Sequence, residues 1–410
     1  MTYASRTLSA LALGAIAATA LSGCVAKQST DPAASFTVSS TDSACDVSTG
    51  TATSGTLTFE VTNAGDEVTE FYLLAEDGLR IVGEVENIAP AASRTLTVVA
   101  QPGDYYTVCK PGMIGDGVGK AAFTVTGDKV AVDGPDAEQK QRAVDLYAAF
   151  VKDQVGALVS DVAELVSAYT AGEDERAREL FPLARASYER IEPVAEALGD
   201  LDPRIDYREV DAVAEGLEWT GFHRIEKDLW QPASDALNSD GETPAWQDWA
   251  PSTPDERGEY GDLLIADVQE LFDYVHSEEF TTVLADQGIA GISNGAVALL
   301  DEVATGKITG EEDWWSHTDL YDFAANVEGS KMAFSLVQEL AASKGADGQA
   351  LVDEIATGYA DLESALAQHG SLQDGFVPFT DLTDGDRREL IDLINALAEP
   401  LSQLTATTLS

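Results

Sequence analysis

The sequence predicts two domains, a β-sandwich followed by an all-α domain of two packed helical bundles. Over residues 34–126, short segments of alternating apolar and polar residues recur, separated by turn sequences such as Asn63-Ala64-Gly65 and Pro102-Gly103-Asp104. Beyond a run of small and turn-forming residues, 127–134, the apolar period lengthens to that of amphipathic helices. Because strands repeat every two residues and helices about every 3.6, this change of period marks a change of domain.

Each element follows from one of these two periods. Alternation rich in β-branched and aromatic residues predicts antiparallel strands at 36–38, 56–61, 71–74, 94–99, 105–108 and 122–125. Apolar residues at three- and four-residue steps predict helices at 137–171, 174–198, 210–229, 255–277, 293–304, 319–342, 349–368 and 384–404. Eight helices of this length are enough for two bundles side by side.

The N-terminus is typical of an export signal. Arg6 precedes an apolar run, 8–21, that is short for a membrane span and ends in Leu21-Ser22-Gly23-Cys24. This resembles a bacterial lipoprotein signal, with Cys24 as the lipidated residue that anchors the chain to a membrane; ordinary secretion is the alternative. We therefore expect a signal peptide over 1–24, a sandwich over 33–127, a linker over 128–135 and a helical domain over 136–410.

The chain is strongly acidic, since 72 acidic and 24 basic residues give a formal net charge of -48. This charge argues against nucleic acid and anionic membrane surfaces as direct partners, because both would be repelled. Cations are the natural partners of such a chain. An acidic surface that only keeps an exported protein soluble explains the same charge without a ligand.

His223 and Glu226 are the first candidates for a binding site. They lie three residues apart in a predicted helix, so both side chains project from one face, beside an apolar stripe of Phe222, Ile225 and Leu229. An imidazole and a carboxylate that point between packed helices are typical of metal sites in helix bundles. The alternative is an amphipathic helix whose histidine is simply a satisfied buried residue.

Glu189 and Glu192 repeat this three-residue spacing on the preceding predicted helix. Two helices that each present two donors could supply four ligands to one ion. Carboxylates with a single imidazole suit iron, manganese or zinc better than Cu(I). The alternative is that both glutamates are surface residues of an acidic helix.

Asp319 is a further candidate ligand, at a predicted helix start beside His317. Capping of that helix by Ser316 or Thr318, with Asp319 stabilising its first turn, is the alternative role of this segment. Only a cation would offset several carboxylates gathered in a confined space. We therefore predict convergence on one iron ion of His223, Glu226, Glu189, Glu192 and Asp319.

These residues carry a family resemblance. The helical part resembles the imelysin-like domain of the EfeO family of extracytoplasmic iron-uptake proteins, through 188–193, 219–230 and 315–329. The first part resembles that family's cupredoxin-like domain, through 45–46, 70–71, 86–90 and 102–105 leading to Cys109. The resemblance implies a cell-membrane lipoprotein or periplasmic protein that captures iron, as Fe3+ or Fe2+. It further implies delivery to a ferric-iron permease in an EfeUOB-type system, with a haem peroxidase as another partner, and a transport component that is not an enzyme.

The β domain offers a second candidate metal site. A type-1 copper site needs two histidines, and no histidine precedes His223, so an ordinary blue-copper centre is excluded. Cys45, Glu70, Cys109 and Met113 are candidate ligands for copper or iron in another geometry. The alternative is a disulfide between Cys45 and Cys109, which the oxidising compartment permits.

The two alternative function classes are a zinc peptidase and a carbohydrate-binding protein. A zinc peptidase needs a second histidine near the first, as in H-x-x-E-H, and Lys227 stands at that position, which argues against hydrolysis. A protein that binds carbohydrate, with acidic polysaccharides as the ligand, is the other class. Its groove would be lined by Trp246, Trp249, Trp314 and Trp315.

Overall fold

The computed structural model describes residues 34–113, 115–132, 134–196, 198–305 and 307–410. The predicted signal peptide over 1–24 and the candidate lipidation site Cys24 lie outside these residues. Strands occupy the first part of the described chain and helices the second, as the change of period predicts. The predicted fold class is confirmed.

The N-terminal part is a sandwich of two sheets. Its strands are β1 Ala34–Thr41, β2 Ala44–Val47, β3 Thr51–Thr53, β4 Gly55–Asn63, β5 Thr69–Leu74, β6 Ile81–Ile88, β7 Ser93–Ala100, β8 Gly103–Cys109 and β9 Val118–Thr126. They form the sheets β2-β1-β4-β7 and β3-β9-β8-β5-β6. The prediction of purely antiparallel strands is wrong for β1–β4 and β3–β9, which pair in parallel. Alternation along a strand does not report the direction of its partner.

The sandwich core lies between the two sheets. It is centred on Phe36, Phe59, Phe71 and Phe123, which are all buried and whose neighbouring ring centroids lie 5.1 to 5.6 Å apart. A disulfide between Cys45 on β2 and Cys109 on β8 joins the two sheets. It closes a loop with a sequence separation of 64 residues and so restricts the unfolded chain.

The C-terminal part is helical. Its helices are α1 Ala137–Ala171, α2 Asp174–Glu189, α3 Glu192–Glu196, α4 Leu201–Ile205, α5 Glu209–Glu215, α6 Gly221–Leu229, α7 Pro254–Val275, α8 Glu278–Thr305, α9 Asp319–Ala342, α10 Ala346–Leu366, α11 Asp384–Leu401 and α12 Leu404–Leu409. Helix α1 packs against α2 and α7. Helices α8, α9, α10 and α11 pack together. The two groups meet where α1 contacts α8 and α9 and where α2 contacts α9. A two-residue pair of strands, β10 Gly370–Ser371 and β11 Gly375–Phe376, precedes α11.

Several predicted helices have different bounds in the structure. The predicted helix 210–229 is wrong, because the chain leaves α5 at Gly216, with φ 70°, and begins α6 only at Gly221. The predicted helix 174–198 is likewise split into α2 and α3, and 293–304 is only the second half of α8, which bends at Gly288. These breaks matter because the segments between the short helices carry residues of the site.

Helix α8 connects the two parts of the fold. Within the described residues, Glu278–Thr309 is long and apolar enough to cross a membrane by length and composition alone. In the structure α8 packs against α1, α9 and α11 on the helical side and against β6 and β7 of the sandwich. Its composition is therefore that of a core helix at the interface between sandwich and bundle.

Candidate metal centre

Helix α6 carries the predicted His223–Glu226 pair into the interior of the helical domain. All of its residues are buried. The helix begins at Gly221 with φ 81°, where an added Cβ atom would lie 2.1 Å from the carbonyl oxygen of Ile205. Only glycine permits this approach to the end of α4, and it brings His223 beside Asp206, the residue that follows α4.

His223 lies among four carboxylates. Its Nδ1 atom is 2.9 Å from Glu226 Oε2, and its Nε2 atom is 3.2 Å from Glu312 Oε1 and 3.6 Å from Asp206 Oδ1. Asp313 Oδ1 lies 4.0 Å from Nδ1. The predicted pairing of His223 with Glu226 is thus present, and the imidazole has further carboxylates on its other side.

Glu226 uses both of its oxygen atoms as acceptors. Oε2 accepts from His223 Nδ1, while Oε1 accepts from the backbone N–H groups of Trp315 and Ser316 at 3.0 and 2.7 Å. A carboxylate that holds Nδ1–H fixes the orientation of the ring and leaves Nε2 as the atom for a ligand. The geometry therefore favours a positioning role for Glu226, with Nε2 directed at Glu312 and Asp206.

The charge state of His223 follows from these contacts. Burial and the Arg185 charge lower its pKa, but the hydrogen bonds to Glu226 and Glu312 outweigh them and raise the pKa of His223 to about 10. The metal-free imidazole is therefore protonated at neutral pH. A metal ion at Nε2 must displace that proton, so binding there weakens as the pH falls.

Glu189 and Glu192 lie in the same buried cluster but contact other cations. Glu189 Oε1 is 2.6 Å from Arg185 Nη2, and its Oε2 is 2.9 Å from Lys307 Nζ. Glu192 Oε2 lies 3.0 Å from the same Nζ atom. Donor atoms of Glu189, Glu192 and Asp206 lie within 4.8 Å of one another, as do those of Asp206, His223 and Glu312. Asp206 therefore connects the two predicted pairs.

Arg185 lies at the centre of the cluster and is fully buried. Its guanidinium contacts five carboxylates, those of Glu189, Asp206, Glu312, Asp313 and Asp322. The argument that only a bound metal cation could offset these carboxylates is therefore wrong, because Arg185 and Lys307 already supply two positive charges.

Sequence reasoning missed both cations and four acids, Asp206, Glu312, Asp313 and Asp322. One local signal was available for Arg185, which lies four residues before Glu189 and therefore shares its helix face. Glu312 and Asp313 directly precede the segment 314–319, which contains the predicted ligand Asp319. Nothing local distinguishes Asp206 or Lys307, because their contacts come from distant parts of the chain.

The cluster still contains more acids than bases. Eight carboxyl groups in it are buried, those of Glu189, Glu192, Asp206, Glu226, Glu312, Asp313, Asp319 and Asp322. Burial raises the pKa of Asp206 to about 6 and that of Asp319 to about 7, and it raises the pKa of Asp313 and Asp322 well above the usual range. The metal-free cluster therefore retains protons that a bound cation would replace.

The segment before α9 orients Asp319. Asp319 Oδ1 accepts from the Asp313 N–H at 3.2 Å, and its Oδ2 has no hydrogen bond within the described chain. Thr318 is the N-cap residue but makes no side-chain cap, because its hydroxyl donates to Asp313 instead. The capping role expected of Ser316 or Thr318 is therefore wrong. The His317 N–H donates to the Asp313 carbonyl oxygen at 2.7 Å, and the His317 carbonyl oxygen accepts from the Phe379 N–H at 2.9 Å.

A cavity of about 590 Å³ separates the sandwich from the helices beside this cluster. Acidic side chains from both sides line it, Glu70, Glu84 and Glu86 from the sandwich and Glu302, Asp206 and Glu312 from the helical part. Lys110 and Arg208 are among the basic residues at its wall. The two carboxylates nearest to His223 Nε2 are thus accessible from an interdomain cavity of strongly acidic character.

Known proteins match the chain over most of its length. An imelysin family model matches residues 143–404, and a cupredoxin-like domain model matches residues 11–120. The iron uptake system component EfeO of Escherichia coli K12 is 35% identical over 375 residues, covering 90% of this chain and 89% of that protein, and the EfeO of Shigella flexneri matches to the same extent. The chain belongs to the EfeO family. A solved structure of a putative iron-regulated protein A precursor from Parabacteroides distasonis has a TM-score of 0.44 and 13% identity over 69% of this chain, which is too low to carry an argument.

The second metal site predicted for this EfeO-family chain is not assembled. Cys45 and Cys109 form a disulfide, so neither presents a thiolate. Cys109 is opposite Phe71 in the strand register, and both lie in the sandwich core. The Glu70 side chain, next along the strand, instead lines the interdomain cavity, as does Met113, and accepts from the Tyr72 hydroxyl at 2.6 Å. Successive side chains on a strand point to opposite faces, which separates Glu70 from the sulfur atoms.

Two of the four tryptophans expected to line a sugar groove, Trp249 and Trp315, lie beside Lys227 instead. Lys227 is fully buried, pairs with Glu209, and has its Nζ atom 5.5, 4.9 and 4.8 Å from the ring centroids of Trp219, Trp249 and Trp315. Such cation–π contacts stabilise a buried ammonium group. The residue that replaces the second histidine of a peptidase motif is therefore a structural part of the core.

The metal-free protein is expected to be more stable at pH 5 than at pH 8, by at least about 1 kcal/mol. The pKa of Asp319 in the folded state is about 7 against an ordinary value of 3.8, so the folded state binds more protons over this window and stability falls as pH rises through it. His223, whose pKa is raised to about 10, also makes the folded state lose stability as the pH rises, up to about pH 10. Thermal melting in chelator at both pH values measures the effect.

An Asp319→Asn variant should show a smaller loss of stability between pH 5 and pH 8. The control Asp392→Asn removes an exposed carboxylate of α11 and should leave the pH dependence unchanged. A melting temperature of the wild-type protein that rises from pH 5 to pH 8 would contradict the assignment of protons to the buried cluster.

Proposed function

We propose that this protein captures iron outside the cytoplasm and delivers it to a ferric-iron permease of the same uptake system, in which a haem peroxidase is a further partner. Its similarity to proteins named as iron uptake system components supports the role. The observation that carries the proposal is that Asp206 and Glu312, whose carboxylates face His223 Nε2, line an acidic cavity. The protein acts as a binding component and not as an enzyme.

The proposed ion lies between His223 Nε2 and the carboxylates of Asp206 and Glu312. Their donor atoms lie within 4.8 Å of one another. Ligands about 2.0 to 2.2 Å from one metal ion are at most about 4.4 Å apart, so the three ligand side chains need only small adjustments. Arg185 must release Asp206 Oδ1 and Glu312 Oε1, which it contacts in the metal-free protein. Hard oxygen donors with one imidazole suit iron, and water completes the coordination.

The other predicted ligands have different roles in this proposal. Glu226 orients the imidazole, as its bonds to His223, Trp315 and Ser316 indicate. Glu189 and Asp319 contribute negative charge to the cluster without contacting the ion. Copper binding through Cys45 and Cys109 is not proposed, because the disulfide occupies both sulfur atoms.

Iron titration of the chelator-stripped protein tests this function. We expect one tightly bound ion per chain with Fe2+ under anaerobic conditions or with Fe3+ supplied as its citrate complex, and weaker binding as the pH is lowered. The double variant Asp206→Asn, Glu312→Gln should lose it. The matched control Glu389→Gln, Asp392→Asn removes two exposed carboxylates of α11 and should bind iron as the wild type does. Equal binding by both double variants would show that iron adheres only to the acidic surface and would overturn the proposal.

A Glu226→Gln variant is expected to bind iron about 10- to 100-fold more weakly, the range for residues that orient a metal ligand. Glutamine has one carbonyl oxygen, whereas Glu226 accepts hydrogen bonds at two, so either the imidazole or the backbone N–H groups of Trp315 and Ser316 lose an acceptor. Calorimetric titration measures the change. Unchanged affinity would refute the positioning role, and a loss as complete as that of a His223 variant would make Glu226 a direct ligand.

The proposed location is the outer face of a membrane, with Cys24 as the lipid-anchored residue. The motif Leu21-Ser22-Gly23-Cys24 supports it. A Cys24→Ser variant should move from the membrane fraction to the soluble extracytoplasmic fraction on cell fractionation. Retention of the variant in the membrane would exclude lipidation at Cys24 as the anchor.

A further inference from the structure

We propose that Lys307 is a built-in cation that occupies the Glu189 and Glu192 half of the carboxylate cluster, so that the cluster takes a single metal ion at His223. This inference rests on the proposed function, because it concerns how many ions the same cluster accepts. It assigns Lys307 as a residue that determines metal stoichiometry. Glu189 and Glu192, which were predicted to bind the ion, are then not among its ligands.

Lys307 has the position that a metal ion would otherwise take. It lies in the short 3-10 helix Lys307–Thr309, which follows α8, and it is buried. Its Nζ atom is 2.9 Å from Glu189 Oε2 and 3.0 Å from Glu192 Oε2. With Asp206, these two glutamates form a group whose donor atoms all lie within 4.8 Å, the spacing expected around one cation.

The remaining contacts of the two glutamates hold this arrangement in place. Glu192 Oε2 also accepts from Asn326 Nδ2 at 3.1 Å, and Glu189 Oε1 contacts Arg185 Nη2 at 2.6 Å. Both carboxylates are therefore bound by fixed donors from α2 and α9. Lys307 itself is buried, so its ammonium is held against the two carboxylates.

The His223 half of the cluster differs in the nature of its cation. Arg185 contacts Asp206 Oδ1 and Glu312 Oε1, the oxygen atoms that also face His223 Nε2, but its planar guanidinium is shared among five carboxylates. The Lys307 ammonium, by contrast, lies directly between Glu189 and Glu192. Asp206 belongs to both groups, so an ion bound by His223 would lie close to Lys307 Nζ. Two metal ions and Lys307 together would place three cations around one shared carboxylate, which Coulomb repulsion disfavours.

Removal of the Lys307 charge should open a second cation site. Lys307→Met keeps an unbranched side chain of similar length and removes the ammonium. We expect anaerobic Fe2+ titration, with the metal content measured after desalting, to give one ion per chain for the wild type and two for Lys307→Met. Lys307→Arg, which keeps the charge, should bind one. A Lys307→Met, Glu192→Gln variant should lose the second ion.

A different variant covers the case in which Lys307→Met does not fold. Glu192→Gln in the wild-type background leaves Lys307 paired with Glu189 and should weaken Fe2+ binding by about tenfold, because a nearby charge is lost but no ligand. A 100-fold loss would identify Glu192 as an iron ligand and overturn the inference. One ion bound by folded Lys307→Met, or two by the wild type, would overturn it as well. Absence of tight binding by every protein would instead refute the proposed function.

Discussion

A His223→Ala variant is expected to lose iron affinity by about 1,000-fold or more while it keeps its fold. Even residues that only orient a ligand are worth about 10- to 100-fold, and His223 supplies the proposed nitrogen ligand itself. The substitution leaves Asp206 and Glu312 without the third donor of their group. Competition titration against a chelator of known affinity measures the loss, and circular dichroism reports whether the helices persist.

The matched control is His276→Ala. His276 is exposed at the end of α7, where its Nδ1 contacts the carbonyl oxygen of Phe272 at 2.8 Å, far along the chain from the cluster. Its removal should leave iron binding unchanged. If His223→Ala binds iron as tightly as the control does, His223 is a satisfied buried histidine and the proposed site is wrong.

An Arg185→Met variant is expected to lose about 3–5 kcal/mol of stability in the metal-free state, the range for removal of one partner of a buried ion pair. The reason is that Asp206, Glu189 and Asp322 would remain buried without their contacts to the guanidinium. Urea denaturation at pH 7 measures the free energy of unfolding. Iron should restore part of the loss, because a bound cation replaces some of the missing positive charge.

Arg176→Met provides the comparison on the same helix. Arg176 pairs with Glu164 and Glu179 on the solvent side of α2, so its replacement should change stability little. Equal effects of the two substitutions would mean that the cluster does not depend on Arg185 for its charge balance. A larger iron-induced stabilisation of Arg185→Met than of Arg176→Met is the accompanying expectation.

Local sequence patterns account for the long helices whose apolar period is uninterrupted. Helices α1 and α9 have the bounds predicted from apolar periodicity alone, 137–171 and 319–342. The predicted helix 210–229 is broken instead at Gly216, which ends α5 with a positive φ angle, and at Gly221, whose positive φ angle permits the approach of α6 to α4. Apolar residues continue across that break, but Val213 and Leu217 are exposed, so their spacing does not report a buried helix face.

Residue spacing alone predicts the change from sandwich to helices and the shared helix face of His223 and Glu226. Composition alone gives the excess of acidic residues that favours a cation as the ligand. The first two follow from spacings of two to four residues, which backbone geometry converts directly into direction. Tertiary packing places Asp206 and Glu312 against His223 Nε2. It also brings in Arg185 and Lys307, which neutralise part of the cluster. Those residues come from separate helices and connecting segments, and no local period encodes which distant side chains share a buried space. The balance of charge in the site is therefore a property of packing, because burial makes each carboxylate depend on the cations that the fold brings within a few ångströms.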